Sequence, residues 1–302
     1  MGTMSTGTFP QDLRPGIRMW FGAAYDTYQT EYDKILDVKT PEDRAYEEDA
    51  TLSGLGLTPV KTQGAPVLYD SGNQLFSTRY PHITYGLGFA ITMEMLEDGI
   101  ALKKAEIYTR SLKQSMLRTR EIIAANVYVN AFSSSALMEG GDGVQLCAST
   151  HPTPAGNQSN VPSTAASLSE AGLEQAAIDI GGFQDARGII IKVLPKTLVI
   201  PKELAFQAKR ILASPLRSGS ADNDINALRD MGIIQNVVVD HYLTSTTNWF
   251  VRTDQEGLNF FNRKDMELTD DNEFDTENAK FKGIMRFSCG WSDWRSIYGV
   301  NA

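Results

Sequence analysis

The sequence is short of the residues that mark most chemical functions. Two cysteines in 302 residues, Cys147 and Cys289, make no disulfide framework. Its three histidines, His82, His151 and His241, are scattered, and no H-x-x-x-H pair exists. No apolar run approaches the ~18 residues of a membrane span, and no charged-then-apolar leader marks secretion. These absences point to an intracellular chain that meets no membrane. Basic charge is also scarce, with 28 Lys and Arg against 37 Asp and Glu and a net charge of −9. A dedicated nucleic-acid binder would carry the opposite excess.

Catalytic signatures are missing too. There is no G-x-x-x-x-G-K-[ST] and no G-x-S-x-G. GLGL at Gly54–Leu57 lacks the third glycine of a dinucleotide loop. The acidic run TDDNEFDTEN, Thr269–Asn278, lacks the glycine and the spaced terminal glutamate of a calcium loop, so a solvated turn is expected. Cys147 and His151 share one stretch, QLCASTHPTPAGNQSN. Its Pro, Gly, Asn, Ser and Thr are loop chemistry, and zinc would need further ligands at suitable spacing. A structured loop is expected there. The chain is therefore read as no enzyme, with no catalytic, cofactor-binding or metal residue and no cofactor.

What is present is an ordered set of parts. A composition of 42% hydrophobic and 22% charged residues belongs to a globular protein able to bury a core. Residues 1–51 read as an arm. Phe9, Ile17, Trp20, Phe21, Tyr25, Tyr28 and Tyr32 are spread among polar residues, and Asp26–Asp49 holds nine acidic against three basic residues. Such a segment cannot build its own core, so its aromatics need another surface. Residues 52–91 are rich in Gly, Pro, Thr and Tyr, with a hairpin expected around Asp70-Ser71-Gly72-Asn73.

A long proline-free segment follows, in which Ala101, Ala105, Tyr108, Leu112, Met116, Thr119, Ile123 and Val127 keep steps of three and four. This is the helical period. It predicts a rod of ~30 residues and about 45 Å, far beyond the usual ~11–12 residues. A compact ball rarely needs such a rod; an elongated or plate-like subunit does. Ser167-Leu168-Ser169-Glu170 predicts a capping box, with Ser167 as the cap of a helix that runs to about Ile180 and stops at Gly181-Gly182. Ile189–Val193 and Thr197–Ile200 read as strands. Leu204, Ala208, Ile211 and Leu212 form a helical face after Pro201. Asn236–Leu243 and Asn248–Thr253 predict a hairpin around TSTT. In AKFKGIMRFSCGW, Phe281, Met285, Phe287, Cys289 and Trp291 alternate with polar residues, giving a long strand that lies along the rod and ends the chain beside it.

This order of parts resembles the major capsid protein of tailed bacteriophages, the Hong Kong ninety-seven fold, and most nearly the Mu-like major head subunit group. The resemblance is carried by TMEMLEDG, CASTHPTPAGNQSN, SLSEAGLEQA, LPKTLVIPKELAFQAKRIL, the Trp249 strand and the closing FKGIMRFSCGWSDWRSIYG, over residues ~50–300. It implies an α+β fold of that type, with an N-terminal arm (1–51), an extended β-loop (52–91), a peripheral domain with the long spine helix (92–195), an axial α/β domain (196–262) and a return to the peripheral domain (263–302). It implies self-assembly into pentamers and hexamers of an icosahedral shell, in the virion and in the host cytoplasm during assembly. The double-stranded DNA inside would be contacted without sequence specificity. The sequence begins at the arm, which points to a separate scaffolding protein or prior cleavage, with a portal as a further partner. An encapsulin-type nanocompartment shares the fold and is the alternative. The family's Lys–Asn cross-link has no matching motif here.

One charge pattern suggests contacts between subunits. The rod segment is basic, with Lys103, Lys104, Arg110, Lys113, Arg118 and Arg120 against Glu106 and Glu121, and the arm is acidic. Trp20, Phe21, Tyr25, Glu47, Glu48 and Asp49 on the arm, and Lys103, Lys104 and Arg110 on the rod, are therefore the candidate inter-subunit contacts.

Overall fold

The computed structural model describes residues 19, 21, 29–41, 44–92, 94–95, 101–134, 140–216, 224–272 and 278–302, with only the backbone at 101–103 and 272. It is built on one long helix and two four-stranded sheets. In chain order the elements are α1 (Tyr32–Ile35), β1 (Asp37–Lys39), β2 (Tyr46–Leu52), β3 (Gln74–Pro81), β4 (Ile83–Ile91), α2 (Ala101–Val129), α3 (Glu170–Gly181) and β5 (Pro195–Pro201). After the short turn Lys202–Leu204 come α4 (Ala205–Ala213), α5 (Ala227–Asp230), β6 (Asn236–Asp240), β7 (Trp249–Thr253), β8 (Leu258–Asn272), β9 (Ala279–Trp291) and β10 (Ile297–Val300).

The rod α2 has 29 residues. Ala105, Leu112, Met116 and Val127 of the expected face are buried, but Tyr108 is exposed and Thr109 takes its place inside. Thr109 can do so because its hydroxyl donates to the Ala105 carbonyl one turn back. Against this face lies the first sheet, ordered β1-β8-β9-β4. In β9, Phe281, Met285, Phe287 and Trp291 are buried while Lys280 and Lys282 face water. Gly283 is the point of closest approach: a Cβ there would meet the Met116 sulfur at 2.3 Å. Phe287 stacks on Tyr85 and on Phe260, with ring centroids 4.8 and 5.2 Å apart.

The second sheet is ordered β10-β7-β5-β6. Leu198, Val199 and Ile200 of β5 are fully buried, the continuous apolar run of a central strand. That strand takes both neighbours, β6 in parallel and β7 antiparallel. The hairpin expected between 236–243 and 248–253 therefore does not form, because β5 lies between its two halves. The sheet joins the end of the rod through Phe250, which meets Tyr128 edge-on at 5.3 Å and stacks with Phe132 at 5.6 Å.

Other expectations shift in instructive ways. The helix α3 is capped by Ser169, whose oxygen accepts from Gly172 N at 3.1 Å, not by Ser167. Residues 189–193 form only a single bridge, Gln184 with Ile190. The projecting hairpin pairs β2 with β3, so residues 53–73 form one long connection and Val67–Tyr69 is no strand. The chain runs along the rod in β9, then crosses through Trp294–Ser296 to end in β10, at the edge of the second sheet beside β7. The first four residues of the acidic run, Thr269–Asn272, are not the expected turn but the end of β8, paired with β9; residues 273–277 lie outside the described residues.

Candidate assembly surfaces

The described residues of the arm touch the rod and both four-stranded sheets. Phe21 is buried with the Lys113 ammonium 4.0 Å above its ring. Glu31 N and Tyr32 N donate to the buried Glu121 carboxylate, the latter at 2.8 Å. The Arg120 guanidinium lies 4.5 Å from the Tyr32 ring centre, and the Tyr128 hydroxyl donates to Ile35 O at 2.7 Å. Glu31 reaches His241 Nδ1 at 2.6 Å, and Arg252 holds Lys34 O and Asp37. β1 then pairs in parallel with β8.

An aromatic arm thus meets a basic rod within the subunit, through residues different from the acidic triplet. Trp20 and Tyr25 lie outside the described residues, as does the Lys103 side chain. Glu47, Glu48 and Asp49 lie on β2, opposite Tyr80, Arg79 and Thr78. Glu47 faces His82 Nε2 at 3.5 Å, where burial holds the imidazole below its ordinary pKa against the pull of that carboxylate. Glu48 accepts from Ser77 Oγ at 2.8 Å and lies 3.9 Å from Arg79. Lys104 is exposed, and Arg110 pairs with Glu106 one turn away at 2.7 Å. Among the described residues, no contact within the subunit joins the triplet to Lys104 or Arg110.

The most exposed apolar chain is the connection between β2 and β3. Leu55, Leu57, Val67 and Leu68 stand in solvent, and Val60 and Tyr69 are 94% and 96% exposed. Its base is fixed to its own subunit. The Asp70 carboxylate accepts from Gly56 N at 2.7 Å and from Arg187 Nη1 at 2.6 Å, and Arg187 Nη2 donates to Ser71 O. The Gly56 amide and then Arg187 hold the Asp70 carboxyl below the usual range. The loop is shaped by its own subunit, but its apolar side chains are left uncovered.

Cys147 and His151 do separate jobs. Burial pushes the Cys147 thiol far above its ordinary pKa, and a Cβ at Gly299 would stand 2.4 Å from its sulfur. His151 is fully buried, with Nδ1 2.7 Å from Asp142, Nε2 3.3 Å from Asn160 and its ring stacked on Trp294. Sequence reasoning missed Asn160. Its Nδ2 is shared among the carbonyls of Leu146, Trp294 and Ile297, and its Oδ1 accepts from Ala148 N. It ties the loop after the rod to the C-terminal strand, a role that long-range contacts define and local pattern does not. Among the described residues, no group of His, Cys, Asp and Glu could hold a metal ion, and no helix is long and apolar enough to cross a membrane.

The comparisons with known proteins agree with this architecture. A family profile described as phage capsid protein matches residues 75–300, about three quarters of the chain, and the chain belongs to that family. Sequence search of curated proteins finds no match. Among solved structures it is similar to that of Mycobacterium phage Patience, with a TM-score of 0.54, 12% identity and coverage of 98% of this chain and 88% of that one. The capsid of Myoviridae phage XM1 gives 0.51 at 11% identity, covering 90% and 92%. A virus-like particle from Pyrococcus furiosus gives 0.50 at 10% identity, covering 95% and 98%. At such identities the likeness is one of fold. The chain is a phage capsid protein with the α+β fold of the Hong Kong ninety-seven type, a structural protein of the virion.

Proposed function

We propose that copies of this chain close an icosahedral shell as pentamers and hexamers around double-stranded DNA, and that its work is structural and not catalytic. The observation that carries this reading is the connection 53–73, which is anchored at its base and apolar at its exposed positions. A subunit with two complete sheets has no need of such a loop for its own core. The loop gains burial only against another copy. Residues 52–91 act as the extended loop, the rod with the first sheet as the peripheral part, and residues 196–262 as the axial part. The last strand, 297–300, sits with the axial sheet and not with the rod. Glu48, Asp49, Lys104 and Arg110 serve contacts between copies, Glu48 and Arg110 in addition to their partners within the subunit. A separate scaffolding protein and a portal act with the chain in the host cytoplasm, and DNA is held without base readout. The ordered motifs support a likeness to the Mu-like group.

The rival is an encapsulin-type compartment, favoured by the likeness to the Pyrococcus particle. The family profile, which is one for phage capsids, favours the first reading. Mass measurement with electron microscopy of the purified chain tests it. Closed megadalton shells are expected, and a small soluble oligomer under all conditions would overturn the shell reading. Shells that form around a protein cargo and never take up DNA would favour the rival.

A further inference from the structure

The arm's seat encloses two buried carboxylates, Glu121 and Asp240. Glu121 sits in the second half of the rod and is 2% exposed. Its Oε2 accepts from Tyr32 N at 2.8 Å, and Glu31 N lies within 3.2 and 3.3 Å of its two oxygens. Both donors belong to the arm, so the lid over this carboxylate is the arm itself. The charged groups that face it are Arg120 beside it on the rod and Glu31 across from it. Nearby, Asp240 at the end of β6 is 1% exposed. Its Oδ1 accepts from Tyr242 N at 2.7 Å, while its Oδ2 is buried with no partner among the described residues. Glu31, His241 and Tyr128 face it. Glu31 itself is held by the backbone N and Nδ1 of His241.

We propose that the arm segment from Glu31 to Asp37 is a proton-sensitive strap: when it seats on the rod it encloses Glu121 together with a proton, so it holds more tightly in acid. The bonds survive protonation, because Oε2 alone can accept from both Tyr32 N and Glu31 N. Burial, the largest cause, pushes Glu121 up to about 7, against the N–H donors of Glu31 and Tyr32 and the charge of Arg120, with Glu31 adding to the rise. Burial likewise pushes Asp240 up to about 6, and Glu31 adds in the same direction against Tyr242 and His241. An acid whose pKa rises on docking takes up a proton as it docks. The gain is full below the ordinary glutamate range and is lost as pH rises through about 7. Asp240 has the same sign.

Hydrogen exchange on the full-length chain tests the strap, with rates corrected for the intrinsic pH dependence of exchange. The amides to follow are those of Tyr32, which faces Glu121, and Leu36, which donates to Tyr32 O at 2.9 Å. They should be at least about tenfold better protected at pH 5 than at pH 7.5. In Glu121→Gln, which keeps the shape without the charge, most of that difference should vanish. In His241→Asn it should persist. Flat protection in the unaltered chain overturns the proposal, whether or not the Gln variant folds. So does a slope that survives Glu121→Gln and disappears in His241→Asn.

Discussion

Strand β9 and the connection 53–73 carry similar apolar side chains and use them in opposite ways. In β9 the alternation holds from Ala279 to Phe287, where every second residue is buried between the rod and its sheet; beyond it Ser288 is buried and Cys289, expected inside, is only half-buried. In the connection, Leu55, Leu57, Val60, Val67, Leu68 and Tyr69 follow no period and face water. Period directs a side chain to a surface that already exists in the subunit. Apolar residues without period, on backbone whose only anchors are polar, wait for a surface from elsewhere. On the proposed function, the subunit is thus divided between a part that folds for itself and a part folded for its neighbours. Substitutions that fall on the two sides of this division should behave differently.

The largest effect is expected in the self-sufficient part. Phe287 is 2% exposed and stacks between Tyr85 and Phe260. Phe287→Ala should lower unfolding stability by about 3–5 kcal/mol, read in denaturant melts of dissociated subunits. A loss below about 1 kcal/mol would mean that β9 is as dependent on neighbours as the loop is.

Next comes Asn160, which tests whether the loop after the rod belongs with the core. Asn160→Ala removes the side-chain partner of the Ala148 amide and of the Leu146 and Ile297 carbonyls in a buried site, while Trp294 O keeps the Ile297 N–H. A cost of about 2–4 kcal/mol follows if two of these groups stay unsatisfied. Asn160→Asp should be no better, since a carboxylate cannot donate to the three carbonyls. Melts near the unaltered value would place residues 145–164 on the loop's side of the division.

Legibility in the sequence follows the same line. The rod, β9 and the helix face Leu204-Ala208-Ile211-Leu212 were readable because each is periodic and buried on one side. The hairpin of β6 and β7 was misread because sequence proximity suggested pairing, whereas the buried run of β5 claims both partners. The shift of the cap from Ser167 to Ser169 is a two-residue matter: only Ser167 has a glutamate three residues on, but either serine can cap a helix, and the structure shows that the Ser169 oxygen meets the Gly172 N–H. The arm's need for a surface was readable from its aromatics. That the surface includes Glu121, a buried carboxylate, was not, because an acidic residue on a helix ordinarily reads as solvated. Asn160 lies in a Ser-, Pro- and Asn-rich loop, where nothing local separates a hub from a turn residue.

The smallest effect on folding, and the sharpest test of the division, is expected in the loop. Leu57, Val60 and Tyr69 touch little within the subunit, and the clamp of Asp70, Gly56 and Arg187 does not involve their side chains. Replacing all three by serine removes no buried contact, so subunit stability should move by less than about 0.5 kcal/mol. Each such side chain covered by another copy is worth about 1.5–3 kcal/mol, and that contribution recurs at every copy in a shell. The triple variant should therefore melt like the unaltered subunit and yet sediment as unassembled subunits or incomplete shells. Opening the clamp with Arg187→Ala should give a milder form of the same result, because the loop keeps its apolar residues but loses the anchor that aims them. Normal shells from the triple serine variant would show that the loop's apolar residues are not what neighbouring copies cover. A large drop in subunit stability would show that they were part of the core after all.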